Sequence, residues 1–166
     1  MSAKTVVVAL VLLSGVLIAG SYLVIGGQNQ PETEIVSYRA QDRNRPIVAV
    51  KNSFVNLGRI KVSEQKETDF TIENDGNRPL QVFHLSSSCH CTFGQLVYQG
   101  KTSQEYGMAD VSDVLATIAP HTQALVRVIY RPYIMPAYGP VEREVYLSTN
   151  DPTQPRLVFQ VSATVQ

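Results

Sequence analysis

The sequence contains no tryptophan and only two cysteines, Cys89 and Cys91, which excludes a disulfide-rich scaffold. It also lacks a charge imbalance, because 14 basic and 14 acidic residues give a formal net charge of zero. Proteins that bind nucleic acid need a basic face to displace counterions, so we expect no nucleic-acid partner. The chain has no Gly-x-Ser-x-Gly elbow, phosphate loop or spaced carboxylate pair. We therefore expect a protein that is not an enzyme, with no cofactor and no small-molecule substrate.

Charged residues are missing from the stretch between Thr5 and Gly27. As a helix this stretch would be about 35 Å long, enough to cross a hydrocarbon core of about 30 Å. The alternative is a cleaved signal peptide, whose apolar region is usually only about 7–15 residues long. Because the run is longer and Gly26-Gly27-Gln28 is a poor cleavage site, we expect residues 1–27 to be retained as an N-terminal tail and transmembrane helix.

The charges that flank this segment predict its orientation. Lys4 and the N-terminal amine precede it, whereas the first charges after it are Glu32 and Glu34. Positive charge favours the cytoplasmic side of a membrane. We therefore expect a single-pass protein of the inner membrane with a cytoplasmic N-terminus and a periplasmic C-terminal domain.

The predicted helix carries a group of small residues, Ser14, Gly15, Ala19 and Gly20. Small residues let a second helix backbone approach closely, which drives association in lipid. Because glycine and serine are common in membrane helices, the alternative is a segment that contacts only lipid.

Residues 28–45 are polar and without a sustained period, and we interpret them as an extended linker. From Pro46 onward, residues 46–166 contain short alternating segments separated by turns. Two of the predicted strands are Lys66 to Glu73 and Leu157 to Val165. In one of them Val141, Val145 and Leu147 share a face on which Arg143 is the one charged residue. The turn Asn74-Asp75-Gly76-Asn77 is expected to need positive φ at glycine. The pattern predicts an all-β fold, an immunoglobulin-like β-sandwich of about seven strands, preceded by a single N-terminal transmembrane α-helix.

A set of short motifs, which follow one another in a fixed order along the chain, resembles a bacterial family of uncharacterised immunoglobulin-like domains related to the Hydin-type sandwiches. The motifs are Phe54-x-x-Leu57-Gly58-x-Ile60, Phe70-x-Ile72-x-Asn74-x-Gly76, Pro79-Leu80-x-Val82, Ser88-Cys89-His90-Cys91-Thr92, Ile118-x-Pro120, Val128-x-Tyr130, Gly139 and Ser148-Thr149-Asn150-Asp151-Pro152. The resemblance implies a sandwich over about residues 47–165 and an exported, membrane-tethered protein, but no reaction. Two departures are His90, where the family usually has glycine, and an insertion between Phe93 and about Ala116.

The residues best suited to chemistry are His84, Cys89, His90 and Cys91. Two thiols and two imidazoles suit Cu(I) or zinc, the two thiols alone suit redox chemistry, and the third interpretation is a packing or bracing role. In a flat strand, Cys89 and Cys91 would point to opposite faces. We therefore expect no shared metal site in the resting protein and regard a disulfide between them as geometrically awkward.

Aromatic and methionine residues outside the core pattern indicate protein contact, since they add large area at low entropic cost. These residues are Tyr98, Tyr106 and Met108 in the insertion, and Tyr133, Met135 and Tyr138 after a strand. The sequence favours a non-catalytic, membrane-anchored accessory subunit whose exported domain docks on a larger membrane complex, such as a respiratory or photosynthetic one. Its partners would be the membrane and other integral membrane subunits. The alternative function is a membrane-tethered copper-handling or thiol-redox protein that uses Cys89 and Cys91.

Overall fold

The computed structural model describes residues 12–14, 34–108 and 113–166. The strands in these residues are β1 (Val48–Val50), β2 (Phe54–Ile60), β3 (Lys66–Asn74), β4 (Leu80–Ser87), β5 (Thr92–Tyr98), β6 (Lys101–Thr102), β7 (Val114–Ile118), β8 (Gln123–Tyr130), β9 (Gly139–Thr149) and β10 (Arg156–Val165). A short 3₁₀ helix, Pro132–Ile134, lies between β8 and β9.

Within the described residues, the strands form two five-stranded sheets. The first has the order β1-β3-β8-β5-β6, and the second has the order β2-β10-β9-β4-β7. Neighbouring strands pair antiparallel, except that β2 runs parallel to β10 at the edge of the second sheet. This arrangement confirms the predicted all-β sandwich.

The core lies between the sheets because alternate residues of each strand point inward. Phe70 and Ile72 of β3 are buried from the first sheet, and Leu157 and Phe159 of β10 are buried from the second. The rings of Phe70 and Phe159 meet with centroids 5.2 Å apart. The predicted alternation of β3 and β10 is therefore correct, and it positions the two sheets against one another.

The strand registers place the loops at two ends of the sandwich. Tyr130, the last residue of β8, pairs with the first residues of β3 and β5, Lys66 and Thr92. The turns 61–65 and 88–91 and the segment 131–138 consequently share one end, which we call the disulfide end. The turns 75–79, 119–122 and 150–155 lie at the opposite end, which we call the polar end.

The predicted linker residues that the structure describes, 34–45, are bound to the sandwich at the polar end. The backbone N–H of Val36 donates to Gln81 Oε1 at 2.7 Å, and Gln81 Nε2 donates to the carbonyl of Glu34 at 3.0 Å. Arg45 donates to the carboxylate of Asp151 at 3.0 Å. The compact unit that contains the sheets accordingly spans Thr33–Gln166. The described part of the predicted linker, residues 34–45, therefore packs against the sandwich.

Asp151 is fully buried at the polar end, and its carboxylate is hydrogen-bonded there. It accepts hydrogen bonds from the backbone N–H groups of Val48 and Thr153, both at 2.9 Å, and from the Thr153 hydroxyl at 2.7 Å. Burial alone would raise the pKa of Asp151, but these donors and the charge of Arg45 outweigh it and lower the pKa below its ordinary value. The ionised carboxylate thus joins the turn after β9 to the start of β1.

The predicted turn at Asn74-Asp75-Gly76-Asn77 is present, but its glycine serves a different purpose. Gly76 is absent from the residues with positive φ. A Cβ built on it would lie 2.4 Å from the carbonyl oxygen of Arg45 and 2.5 Å from the backbone nitrogen of Ile47. Glycine is needed here because another stretch of backbone passes directly over it.

The predicted transmembrane helix falls outside the described residues, apart from Leu12–Ser14, which are helical. Of the predicted helix-packing residues, Ser14 belongs to this short stretch, and Gly15, Ala19 and Gly20 lie outside the described residues. In the part of the chain that the structure describes, no helix is long and apolar enough to span a membrane.

Candidate functional site

The connection between β4 and β5 forms the centre of the candidate site. It must carry the chain from the second sheet to the first, and residues 88–91 do so in a tight turn. Cys89 and Cys91 are joined there by a disulfide, with their Cα atoms 5.3 Å apart. The expectation that a disulfide would be awkward was wrong because it assumed a flat strand, whereas a turn brings both sulfurs to the same side.

Backbone hydrogen bonds fix this turn against both sheets. The N–H of Cys91 donates to Cys89 Sγ at 3.1 Å, and the N–H of Arg131 donates to the carbonyl of Cys91 at 2.8 Å. On the other side, the N–H of Ser88 donates to the carbonyl of Glu144, and the N–H of Glu144 donates back to Ser88 Oγ, both at 2.9 Å. The disulfide is consequently held between the end of β8 and the middle of β9.

Arg143, the charged residue on the otherwise apolar face of β9, points toward this disulfide. Its Nε donates to Cys91 Sγ at 3.2 Å, and its Nη1 donates to the carbonyl of Glu142 at 2.7 Å. Its guanidinium carbon lies 5.7 Å from the centroid of the Tyr130 ring. The position that does not fit the apolar alternation of β9 is therefore occupied by a cation that contacts a sulfur.

Tyr130 forms the inner wall of the site. It is fully buried together with Cys91, Val141 and Val165, and its hydroxyl has no hydrogen-bond partner among the described residues. Burial raises the pKa of Tyr130, and the nearby positive charge of Arg143 opposes that shift. The phenol therefore stays neutral, with its hydroxyl close to the Arg143 guanidinium but without a well-formed hydrogen bond.

The two cysteine residues differ in their exposure. Cys91 is fully buried, Cys89 is half-buried, and His90 between them is exposed. The hydroxyl of Thr92 lies 3.3 Å from Cys89 Sγ and 3.9 Å from Cys91 Sγ. A reagent in solvent would consequently meet Cys89 first, while Cys91 faces the arginine.

The alternative metal set is not assembled in this structure. Both sulfurs are bonded to one another. His84 has a φ of 50° at an irregularity of β4, and its ring packs edge-on against Phe83 with centroids 5.0 Å apart. Among the described residues, no group of three or more His, Cys, Asp or Glu side chains is arranged to hold a metal ion.

The predicted contact residues divide into two groups. Tyr98 is the last residue of β5, and its hydroxyl accepts a hydrogen bond from the N–H of Ala119 at 2.9 Å. Tyr106 pairs with Gly94 and packs against the core. Both tyrosines are therefore part of the sandwich, because much of the predicted insertion continues the first sheet. Met108, by contrast, is exposed.

The residues after β8 form an exposed apolar segment, Tyr133–Tyr138. Tyr133, Ile134, Met135 and Tyr138 have exposed fractions of 49%, 42%, 48% and 69%. Tyr133, Met135 and Tyr138 were predicted as contact residues from the sequence. Ile134 was not, although its position between Tyr133 and Met135 was the available signal. Ala137 packs against the same buried cluster as Cys89. The apolar segment therefore lies beside the disulfide.

A paired arginine supports the start of the apolar segment. Arg131 binds both carboxylate oxygens of Glu105 at 2.6 and 2.8 Å and donates to Gln65 Oε1 at 2.7 Å. Its guanidinium also lies over the Phe93 ring at 4.8 Å from the centroid. These contacts fasten the loop around Glu105 and the turn before β3 to the disulfide end.

Two solved structures are similar to this chain. A protein of unknown function from Porphyromonas gingivalis is similar over 82% of this chain and 51% of that chain, with 16% identity and a TM-score of 0.57. The ASH / PapD-like domain 7 of human CEP192 is similar over 81% of this chain and 94% of that chain, with 16% identity and a TM-score of 0.49. The chain thus spans about half the length of the Porphyromonas gingivalis protein. At 16% identity, the likeness to the Porphyromonas gingivalis protein shows the fold alone.

Comparison of the amino-acid sequence with known proteins and protein families identifies the family of the chain. No curated protein shows significant similarity to the chain. A family comparison matches residues 48–165, from the first residue of β1 to the last residue of β10. The chain therefore belongs to the family described as protein of unknown function (DUF1573).

Proposed function

We propose that this chain is a non-catalytic accessory subunit, anchored in the inner membrane by a single helix over residues 5–27. In this proposal the N-terminus is cytoplasmic, and the sandwich, an immunoglobulin-like domain of the Hydin type, is periplasmic. The sandwich docks on the exported surface of a larger membrane protein complex. The partner is an integral membrane protein, because the helix and the domain would then contact the same assembly.

The observation that carries the proposal is the exposed apolar segment. Four large apolar side chains with exposed fractions of 42–69% lie within six consecutive positions. Single exposed apolar residues need no explanation, but a contiguous group on a fixed loop is typical of a protein contact surface. The hydrogen bonds of Arg131 support the segment, so little conformational entropy would be lost when it binds.

The membrane helix would strengthen this contact. A tethered domain meets its partner at a high effective concentration, so a weak docking surface is sufficient. The small residues Gly15 and Ala19 would supply a second contact within the lipid, where close backbone packing drives association.

The test uses the full chain in its native membrane. Membranes are solubilised in mild detergent, and the chain is sized by native gel and identified with its co-migrating proteins by mass spectrometry. The Tyr133→Ser/Tyr138→Ser variant is expected to leave the larger complex, because it removes the most exposed aromatic area of the segment. The matched control is Phe54→Ser, whose side chain is 46% exposed on β2, and it is expected to remain bound.

Two results would contradict the proposal. One is migration of the wild-type chain as a free monomer or simple homodimer in several mild detergents. The other is equal loss of the complex in the control and in the double variant, which would indicate a general effect of lost apolar surface.

A further inference from the structure

We infer that the Cys89–Cys91 disulfide is a thiol–disulfide exchange site that accepts two electrons from a protein dithiol. The juxtaposition of a half-buried cysteine, a fully buried cysteine and the Arg143 guanidinium is the observation behind it. The inference is independent of the proposed accessory role, because the experiments below use the purified chain alone.

The two sulfurs have different chemical roles. Exchange begins when a thiolate attacks one sulfur of a disulfide and the other sulfur leaves. Cys89 is the half-buried cysteine of the turn, so its sulfur is assigned as the one attacked. Cys91 is fully buried with the Arg143 Nε 3.2 Å from its Sγ, so it is the one that leaves. A cation beside a sulfur favours the thiolate, and a better-stabilised thiolate leaves faster.

The exchange is balanced in two steps. A thiolate of the partner bonds to Cys89 Sγ while the Cys89–Cys91 bond breaks, and the electron pair leaves on Cys91 Sγ. The partner's second thiol then loses its proton to water and attacks the partner sulfur of the mixed disulfide. The electron pair of that bond leaves on Cys89 Sγ, which takes up a proton. The partner dithiol is oxidised to its disulfide, and this chain's disulfide is reduced to a thiol at Cys89 and a thiolate at Cys91 beside Arg143.

The surroundings of the arginine explain why its charge acts on the sulfur. The Glu144 carboxylate accepts a hydrogen bond from the Tyr146 hydroxyl at 2.6 Å, and Glu142 contacts Arg143 through its backbone carbonyl. The described contacts thus include no carboxylate bound to the Arg143 guanidinium. The neighbouring Tyr130 phenol is neutral, since burial raises its pKa. Arg143 therefore keeps an uncompensated charge for a thiolate at Cys91.

The first experiment measures the rate at which dithiothreitol reduces the disulfide in the purified full chain in mild detergent. Samples are quenched with an alkylating reagent and analysed by intact mass. Arg143→Gln is expected to slow reduction by about threefold, because the leaving thiol becomes roughly tenfold more basic and the rate follows about the square root of that change. Arg143→Lys is expected to restore most of the rate. The matched control, Arg127→Gln, removes an arginine paired with Asp69 on the outer face and is expected to leave the rate unchanged.

The second experiment separates the two sulfurs and does not depend on the folding of an arginine variant. In the Cys91→Ser chain, Cys89 is expected to react with an aromatic disulfide at least tenfold faster than Cys91 does in the Cys89→Ser chain. The ultraviolet absorbance of the Cys91 thiolate is expected to appear at lower pH than that of Cys89. The reverse order of reactivity would overturn the assignment of attacked and leaving sulfurs. Resistance of the folded wild-type disulfide to dithiothreitol, or equal rates in the wild type and Arg143→Gln, would overturn the inference itself.

Discussion

Reduction of the Cys89–Cys91 disulfide is expected to leave the sandwich folded. The two cysteines are only two positions apart, so the bond closes a loop of three residues. A disulfide stabilises largely by restricting the unfolded chain, and the restriction grows with loop size. The bond joins one turn to itself and does not connect distant parts of the sandwich. The strand pairs that surround it remain hydrogen-bonded when it opens.

The size of the effect follows from the loop length. For three residues the chain-entropy relation gives about 1.6 kcal/mol at room temperature, compared with about 4.7 kcal/mol for a loop of about 100 residues. A domain of this size is stable by about 5–15 kcal/mol. Because urea lowers stability by about 1–3 kcal/mol per molar, we expect reduction to lower the urea midpoint by about 0.5–1.6 M.

The assay compares urea unfolding of the oxidised and reduced full chain. Far-ultraviolet circular dichroism follows the strands, and tyrosine fluorescence is usable because the chain contains eight tyrosines and no tryptophan. The control is the Cys89→Ala/Cys91→Ala chain, whose midpoint is expected not to respond to reductant. Loss of the folded signal on reduction without urea would refute the reasoning, because it would make the bond a structural requirement and not an exchange site.

Three further predictions concern buried groups. Asp151→Asn is expected to destabilise the domain by about 2–4 kcal/mol at neutral pH, since the buried donors lose their carboxylate. Folding lowers the pKa of Asp151, so its ionised carboxylate stabilises the folded state at pH values above the ordinary pKa of aspartate. This stabilisation is lost as the pH falls through the lowered pKa of the folded state. Urea titrations from about pH 5 to pH 2 should therefore show a steeper loss in the wild type than in Asp151→Asn. Gly76→Ala is expected to cost at least about 1–3 kcal/mol in urea unfolding, since its Cβ would meet backbone at 2.4 Å, and an unchanged midpoint would contradict the close approach. Tyr130→Phe is expected to leave the stability of the domain unchanged or to raise it by up to about 1 kcal/mol, because the buried hydroxyl makes no well-formed hydrogen bond among the described residues. A clear loss of thermal stability would show that the neighbouring Arg143 satisfies the hydroxyl.

The sequence predicted the strands whose inner faces are large and apolar. β3 and β10 are correct because Phe70, Ile72, Leu157 and Phe159 alternate with polar residues. β5 was missed because its inner face includes Gly94, over which Val145 and other side chains pack closely. A Cβ at that glycine would lie 2.9 Å from the Val145 side chain, so the small residue is required and hides the alternation.

β2 was missed for a different reason. Among the described strands it pairs with β10 alone, in parallel, and six of its seven positions remain partly or fully solvent-exposed, with just Ile60 buried at its end. An edge strand of this kind buries too few residues to produce a periodic signal.

The disulfide could not be predicted from the spacing of its cysteines. Cys-x-Cys separates the side chains in a strand and brings them together in a turn, and spacing alone does not distinguish the two. The available signal was Arg143, because a charged residue on an apolar face requires a partner. In the structure the Arg143 Nε contacts Cys91 Sγ. The sequence did not identify Cys91 as the partner of Arg143.

The attachment of residues 34–45 to the polar end also determines how a mechanical load would enter the sandwich. A pull on the chain before Glu34 reaches the side chain of Gln81 first, through the two hydrogen bonds that it makes to the Glu34 and Val36 backbone. Further along, the load reaches the Arg45–Asp151 pair and then β1, which is hydrogen-bonded to β3. Since these attachments are arranged in series, they would release one after another, and tension would be dissipated at the polar end before it reached the Cys89–Cys91 turn.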